Sequence, residues 1–145
     1  MHKRSGFTLL ELLVVMVILV ILAGVVTVVV VKRIDEARRA RATSDIHEFS
    51  LALEMYKHDN MDYPSTEQGL QSLCVKPQGE ELPNWQVYIK HNVPQDPWGR
   101  DYIYKYPGER KANSDDDSYD LYTLGKDGKE GGTGPDADIY EDELK

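Results

Sequence analysis

Twenty consecutive residues, 12–31, carry no charge, and a chain with such a run must keep it out of water. At 1.5 Å per residue a helix of that length covers about 30 Å, the thickness of a bilayer's hydrocarbon core. A lone carboxylate, Glu11, heads the run, five residues after Gly6, the only glycine of a short basic leader. An acid at the centre of a membrane helix costs roughly 2.5–3.5 kcal/mol on insertion scales, and less near the interface, so such a group normally has a partner.

The rest of the chain is of another kind. Residues 1–41 hold seven Lys and Arg against three acids, whereas residues 42–145 hold ten against twenty-two, so a net charge of +4 is followed by one of −12. Binding to a phosphate backbone needs clustered Lys and Arg that release counterions, and an acidic domain of this sort excludes nucleic acid as a partner. The 145 residues fit one domain, but the first 31 cannot build a soluble core, which leaves one small domain of the remaining residues. Cys74 is the only cysteine, so no intrachain disulfide closes it, and the thiol is expected to pack as a small buried apolar group.

The apolar run admits three readings. A secretory signal peptide has a basic start and small residues for cleavage, here Lys3, Arg4 and Leu22-Ala23-Gly24. Its apolar region, however, is usually 7 to 15 residues, and Glu11 interrupts this one. A plain membrane anchor would let Glu11 snorkel to the headgroups. Two basic residues precede the run and five follow it within ten residues, so the Lys/Arg count alone would leave the soluble part in the cytoplasm.

The third reading is a resemblance. Lys3-Arg4-Ser5-Gly6 followed by Phe7-Thr8-Leu9-Leu10-Glu11 and the apolar run is similar to a class III, type IV prepilin-type signal. The resemblance implies that a prepilin peptidase cuts after Gly6 and methylates the new N-terminal Phe7. It also puts the soluble domain in the periplasm, against the charge count. The physical role expected of Glu11 follows: a free Phe7 ammonium among identical helices in an apolar core needs a neighbour's carboxylate, because an unpaired charge there is costly. Glu11 would then set the register between subunits.

No proline occurs before Pro64, and Ala42, Ile46, Phe49, Leu53 and Tyr56 recur at spacings of 4, 3, 4 and 3, which is one helical stripe. One helix from Phe7 to about Asp59 is expected, apolar all round in its first half and one-sided in its second. The charged stretch between them, residues 32–41, reads as a solvated segment leaving the membrane. Asn60-Met61-Asp62-Tyr63-Pro64 stops the helix, and Ser65-Thr66-Glu67-Gln68 has capping-box form ahead of a short helix to about Leu73. Pro94-Gln95-Asp96-Pro97-Trp98-Gly99 reads as a rigid turn before an alternating strand over residues 101–106. Residues 118–124 alternate too, with Tyr119, Leu121 and Thr123 on one face and Asp120, Tyr122 and Leu124 on the other. A small antiparallel sheet packed on a helix is the economical arrangement, an α+β fold. Trp85 and Trp98 read as packing aromatics.

Near the C-terminus, Asp127, Asp136 and Asp138 bracket a loop that holds Gly125, Gly128, Gly131, Gly132 and Gly134. Calcium takes six to eight oxygens, and glycines let carbonyls turn inward. The pattern is not an EF-hand, since Lys129 stands where that motif wants Asp or Asn. Spacing alone leaves a metal site and a solvated turn both open. Asp115-Asp116-Asp117 reads as a solvated loop. His2, His47, His58 and His91 form no metal or nucleophile motif, and there is no Gly-x-Ser-x-Gly elbow or phosphate loop, so no enzymatic activity is expected.

Tyr63-Pro64-Ser65-Thr66-Glu67-Gln68-Gly69-Leu70, Asp96-Pro97-Trp98-Gly99, and Leu124-Gly125-Lys126-Asp127-Gly128 with the glycines and acids up to Ile139 resemble, in order, the major pseudopilins of type II secretion systems. The resemblance implies a type IV pilin-like fold with a leader over 1–6, a transmembrane and assembly helix over 7–31, and a periplasmic domain over 32–145 that carries the helix on to about 59. It implies bound Ca²⁺ at the C-terminal loop, with Asp127, Asp136 and Asp138 as side-chain ligands and the Leu124 carbonyl as a main-chain one. The implied partners are further copies of the chain in a helical pseudopilus, minor pseudopilins, the prepilin peptidase, an inner-membrane assembly platform and membrane lipid. A type IV pilin of an adhesion, motility or DNA-uptake filament is the alternative, and a membrane-anchored calcium-binding or substrate-binding module is another. The chain departs from the family where glycine and proline are usual, with Val20 and Val28 in their places. Valines fill 25–31 apart from Thr27 and keep every backbone donor, so the local helix loosening typical of the family is not expected unchanged.

Overall fold

The computed structural model describes residues 6–79, 81–110 and 118–144, with nothing of the side chains of 25–29. Helix α1 runs without interruption over Leu9–Asn60, through both Val20 and Val28, within a residue or two of the span expected from the pattern. The chain forms two compact units, residues 1–36 and residues 37–145. In the first unit the described apolar side chains of α1 are open, among them Leu9, Val20 and Ile21. Among the described residues no helical stretch is long and apolar enough to cross a membrane. The charge-free run read from the sequence includes the five residues whose side chains lie outside that description.

In the second unit α1 is one-sided as its stripe demands. Ala42, Ile46, Phe49 and Leu53 are fully buried and Tyr56 nearly so, while Leu51 and Met55 on the opposite side are about half exposed. Asn60 ends the helix by donating its Nδ2 to the Tyr56 carbonyl, and the Met61 amide donates to the Lys57 carbonyl at 2.8 Å. Met61 does so at φ 74, the left-handed position where a helix C-terminus usually places glycine.

The stripe is covered by three short antiparallel strands in the order β1-β2-β3: β1 (Ile103–Lys105), β2 (Asp120–Thr123) and β3 (Ile139–Tyr140). Tyr104 faces Leu121 across the first pair and Thr123 faces Ile139 across the second. Leu121 and Thr123 are buried and Tyr122 is half-exposed, the alternation expected of β2. Asp120 departs from that alternation: it is buried because its Oδ2 accepts the amides of Glu109 and Arg110 at the turn after β1. β3, only two residues long, carries no alternation by which a sequence could announce it.

Two further segments differ from expectation. Ser65 and Gln68 do form the reciprocal bonds of a capping box, but they close a turn that leads through Gly69 at φ 58 into a 3₁₀ turn, Leu70–Leu73, instead of an α-helix. The described residues of 75–92 form no regular element yet contribute Ile89 to the core, with Leu82, Trp85 and Tyr88 packed against it. Trp85 donates its indole N–H to the Ser72 carbonyl at 2.9 Å, and Trp98 also packs on the core, so both tryptophans are packing groups. Cys74 is half-buried rather than fully buried, its thiol 3.0 Å from the His91 carbonyl. His47 and His58 are exposed, and Asp115–Asp117 lies outside the described residues.

Phe49 is the centre of this packing, its ring edge-on to Tyr102 at a centroid distance of 5.1 Å. Phe49→Ala should destabilise the full chain in detergent by roughly 3–5 kcal/mol, read from urea unfolding by tryptophan fluorescence. Leu51→Ala, on the exposed side, should stay within about 0.5 kcal/mol of the parent chain.

Candidate functional site

Two places in the fold carry the candidate residues. The first is the start of α1. Gly6 and Phe7 precede the helix outside any regular element, and the Phe7 ring is 84% exposed. Lys3 to Ser5 lie outside the described residues. The Glu11 carboxylate accepts the Thr8 amide at 2.8 Å and the Thr8 hydroxyl at 3.0 Å, while the Glu11 amide donates to the Thr8 hydroxyl at 3.2 Å. This is a capping box, Thr-x-x-Glu, and it satisfies two of the donors that a helix start leaves without partners. Thr8 and Glu11, three residues apart, carry the signal of this cap in the sequence, beside the intersubunit pairing expected of Glu11. Within one chain the carboxylate therefore already has donors, at the surface and available to exchange.

The second place is the glycine-rich loop between β2 and β3. Gly125, Gly128, Gly131, Gly132 and Gly134 all have positive φ. At Gly132 this is obligatory on two counts, since a Cβ would also lie 2.4 Å from the Asp136 carbonyl oxygen. The loop closes on itself through Lys126 N–H to the Pro135 carbonyl and Asp138 N–H to the Gly131 carbonyl.

The three aspartates occupy different situations in it. Asp127 is exposed and its Oδ1 accepts the Lys129 amide at 3.1 Å, an Asx turn. Asp136 is half-buried in a 3₁₀ turn, Gly134–Asp136. Asp138 is 7% exposed; its Oδ2 accepts the Gly131 amide at 3.0 Å and the Tyr140 hydroxyl at 2.7 Å. Burial first, and then the Asp138 carboxylate, push the Tyr140 hydroxyl up to about 12. The Oδ1 atom of Asp138 is buried and has no hydrogen-bond partner. Leu124, half-buried, enters the loop directly after β2. Among the described residues no group of three or more His, Cys, Asp and Glu converges as a metal cluster would, so the three carboxylates expected to act together are not assembled into one. What does fit a hard cation is narrower: one buried carboxylate oxygen without a donor, inside a loop whose glycines hold positive φ.

Two arginines that belong to no motif also reach this loop. Arg39, on α1, donates to the Ala137 carbonyl at 2.6 Å, so it is not part of a purely solvated face. Arg100, from the turn before β1, donates its Nη2 to the Gly125 carbonyl. The C-terminal end is pinned as well: the Arg110 guanidinium lies 3.2 Å from the Tyr140 ring centroid and pairs with Asp142 and Glu143. Glu141 is buried and accepts the Ser50 hydroxyl of α1 at 3.1 Å.

Gly132→Ala should lower the melting temperature of the full chain, because the strained φ costs roughly 1–2 kcal/mol and the Asp136 carbonyl must also move. Gly131→Ala shares the positive φ but meets nothing within 4 Å, so its melting temperature should fall less. Equal losses would show that the close approach at Gly132 is unimportant.

Comparison with known proteins agrees with this anatomy. Residues 1–27 match the prokaryotic N-terminal methylation motif, and residues 29–142 match the family described as type II secretion system (T2SS), protein G. The type II secretion system core protein G of Pseudomonas aeruginosa is 49% identical over 140 residues, covering 94% of each chain. That of Vibrio cholerae is 47% identical over 141 residues, covering 96% of this chain and 92% of the relative. The crystal structure of the major pseudopilin from the type 2 secretion system of enterohaemorrhagic Escherichia coli aligns with a TM-score of 0.56 at 37% identity, over 74% of this chain and 88% of that one. With a long helix on a small antiparallel sheet, a methylation-type N-terminus and a match over most of its length, the chain belongs to the type II secretion system protein G family, the major pseudopilins.

Proposed function

We propose that this pseudopilus subunit is stored in the inner membrane with its acidic domain in the periplasm, is cut between Gly6 and Phe7, and is then added helix-first to a growing filament. The Gly6–Phe7 bond lies before the first helical residue, where a peptidase can take an extended backbone. Cleavage frees the Phe7 amine and leaves Thr8 and Glu11 in place. Glu11, the only charged group between Arg4 and Lys32, would then exchange its Thr8 donors for the Phe7 ammonium of a neighbouring subunit. Its exposed carboxylate is the observation that carries this reading: in an apolar filament core the ammonium has no other partner in this segment. The subunit performs no chemistry itself. The work of assembly comes from an inner-membrane platform and a cytoplasmic ATPase, minor pseudopilins join the same filament, and the filament helps move folded proteins out through the outer membrane.

Glu11→Ala should leave the domain folded and cleavage at Gly6 intact while abolishing normal-length filaments, seen by shearing and immunoblot. Filaments of parental length from Glu11→Ala would overturn the register role.

The C-terminal loop supports a second part of the proposal, that it takes Ca²⁺. Asp138 would supply its partnerless buried oxygen, Asp127 and Asp136 further carboxylate oxygens and Leu124 a carbonyl. When bound, the ion supplies a fixed positive centre that favours the ordered form of the loop. A glycine-rich loop loses much chain entropy on ordering, and a ligand that binds only the ordered form offsets that cost by mass action. Removing calcium with a chelator should lower the melting temperature of the full chain in detergent, and Asp138→Asn should abolish the difference. Identical melting with and without calcium in the parent chain would remove the metal from this reading.

A further inference from the structure

The Asp96-Pro97-Trp98-Gly99 turn does more than reverse the chain. The Asp96 side chain is completely shielded from solvent, and both of its oxygens are used. Oδ1 accepts the Trp98 amide at 3.0 Å and the Arg100 amide at 2.8 Å; Oδ2 accepts the Thr123 hydroxyl of β2 at 2.6 Å. The same Oδ2 lies 3.8 Å from Arg100 Nε, an ion pair without a hydrogen bond. Asp96 therefore fixes Arg100 at its backbone and attracts it at its head. The guanidinium, thus aimed, donates to the Gly125 carbonyl and lies against Gly128, where a Cβ would fall 2.6 Å from Nη1. A glycine at 128, at φ 69, is what leaves room for it.

We propose that Arg100 is the loop's own resident cation: a positioning residue, aimed by buried Asp96, that holds the limb from Leu124 to Gly128 in its closed form without a divalent ion. The chemistry is that of a charge-assisted bond to a carbonyl in a sheltered place, with a planar fork that a lysine ammonium does not reproduce. The limb it holds contains two of the oxygens assigned above to calcium, so the consequence for the metal rests on that assignment. Arg100 and the ion favour the same closed loop, so removing the arginine lowers the fraction of chains ready to take the ion. The Gly125 carbonyl, already engaged by Arg100, is not a ligand in this scheme.

The test uses the full chain in detergent, with hydrogen exchange of the 125–132 amides and thermal melting, each in chelator and in excess calcium. In chelator, Arg100→Gln should speed exchange in that segment by about tenfold or more, the scale of losing a bond to a charged donor. Exchange in α1 should change much less, and Arg100→Lys should recover only part of the protection. The rise in melting temperature on adding calcium should be no larger for Arg100→Gln than for the parent chain, because a looser loop takes the ion less readily. Unchanged exchange in chelator for both Arg100→Gln and Arg100→Lys overturns the proposal. So does a calcium-induced rise that is larger in Arg100→Gln than in the parent, which would mean that the arginine and the ion compete and do not favour one closed loop. If calcium shifts neither chain while Arg100→Gln still loosens the segment, the resident-cation role stands and the calcium assignment falls.

Discussion

The burial of one side of α1 is the constraint on which the rest of the second unit depends. Ile46, Phe49, Leu53 and Tyr56 need an apolar cover, and a sheet with strands of three, four and two residues is too small to provide it alone. Small sheets gain little stability from their own ladders, so the cover is completed by irregular chain: Ile89, Trp85 and Tyr88 from the 75–92 region and Tyr63 and Leu73 from the turn after the helix. The same helix in the first unit shows its apolar side chains openly, which is sensible only for a segment whose solvent is lipid or other copies of itself.

With no disulfide and so few strand residues, the turns are held by buried carboxylates. Asp96 organises the turn before β1 and ties it to β2, Asp120 holds the turn after β1, Asp138 holds the loop before β3, and Glu141 fastens the C-terminal segment to Ser50. Each takes backbone or hydroxyl donors, which is how an acidic domain can bury carboxylates without paying their full desolvation. Among the described residues only Asp138 keeps a buried carboxylate oxygen without a donor. That asymmetry, rather than the number of acids in the loop, is what the proposed calcium site rests on.

The exchange proposed for Glu11 starts from a weak contact. Thr8 and Glu11 cap α1 in the single chain, and the cap is made at the surface by short local bonds. A contact of this kind is easily exchanged for a charge pair when the environment becomes apolar, because an exposed cap contributes little and an unpaired buried ammonium costs much.

The residues alone determined the long helix, its change from all-round to one-sided apolarity, the strands at 103–105 and 120–123, and the family, because these rest on periodicity and on local motifs that need no partner in space. Tertiary structure decided what periodicity cannot carry. β3 has two residues and no pattern; the region 75–92 is irregular yet packs into the core; Asp120 is buried against its alternation by a turn it caps. Arg39 stands in the stretch read as solvated and Arg100 belongs to no motif, and only folding brings them to Ala137 and Gly125, 98 and 25 residues away. The three aspartates of the loop looked equivalent by spacing. The fold separated them into an exposed Asx turn, a half-buried 3₁₀ residue and one sheltered carboxylate, because which oxygens lose water depends on what packs over them and not on their order in the chain.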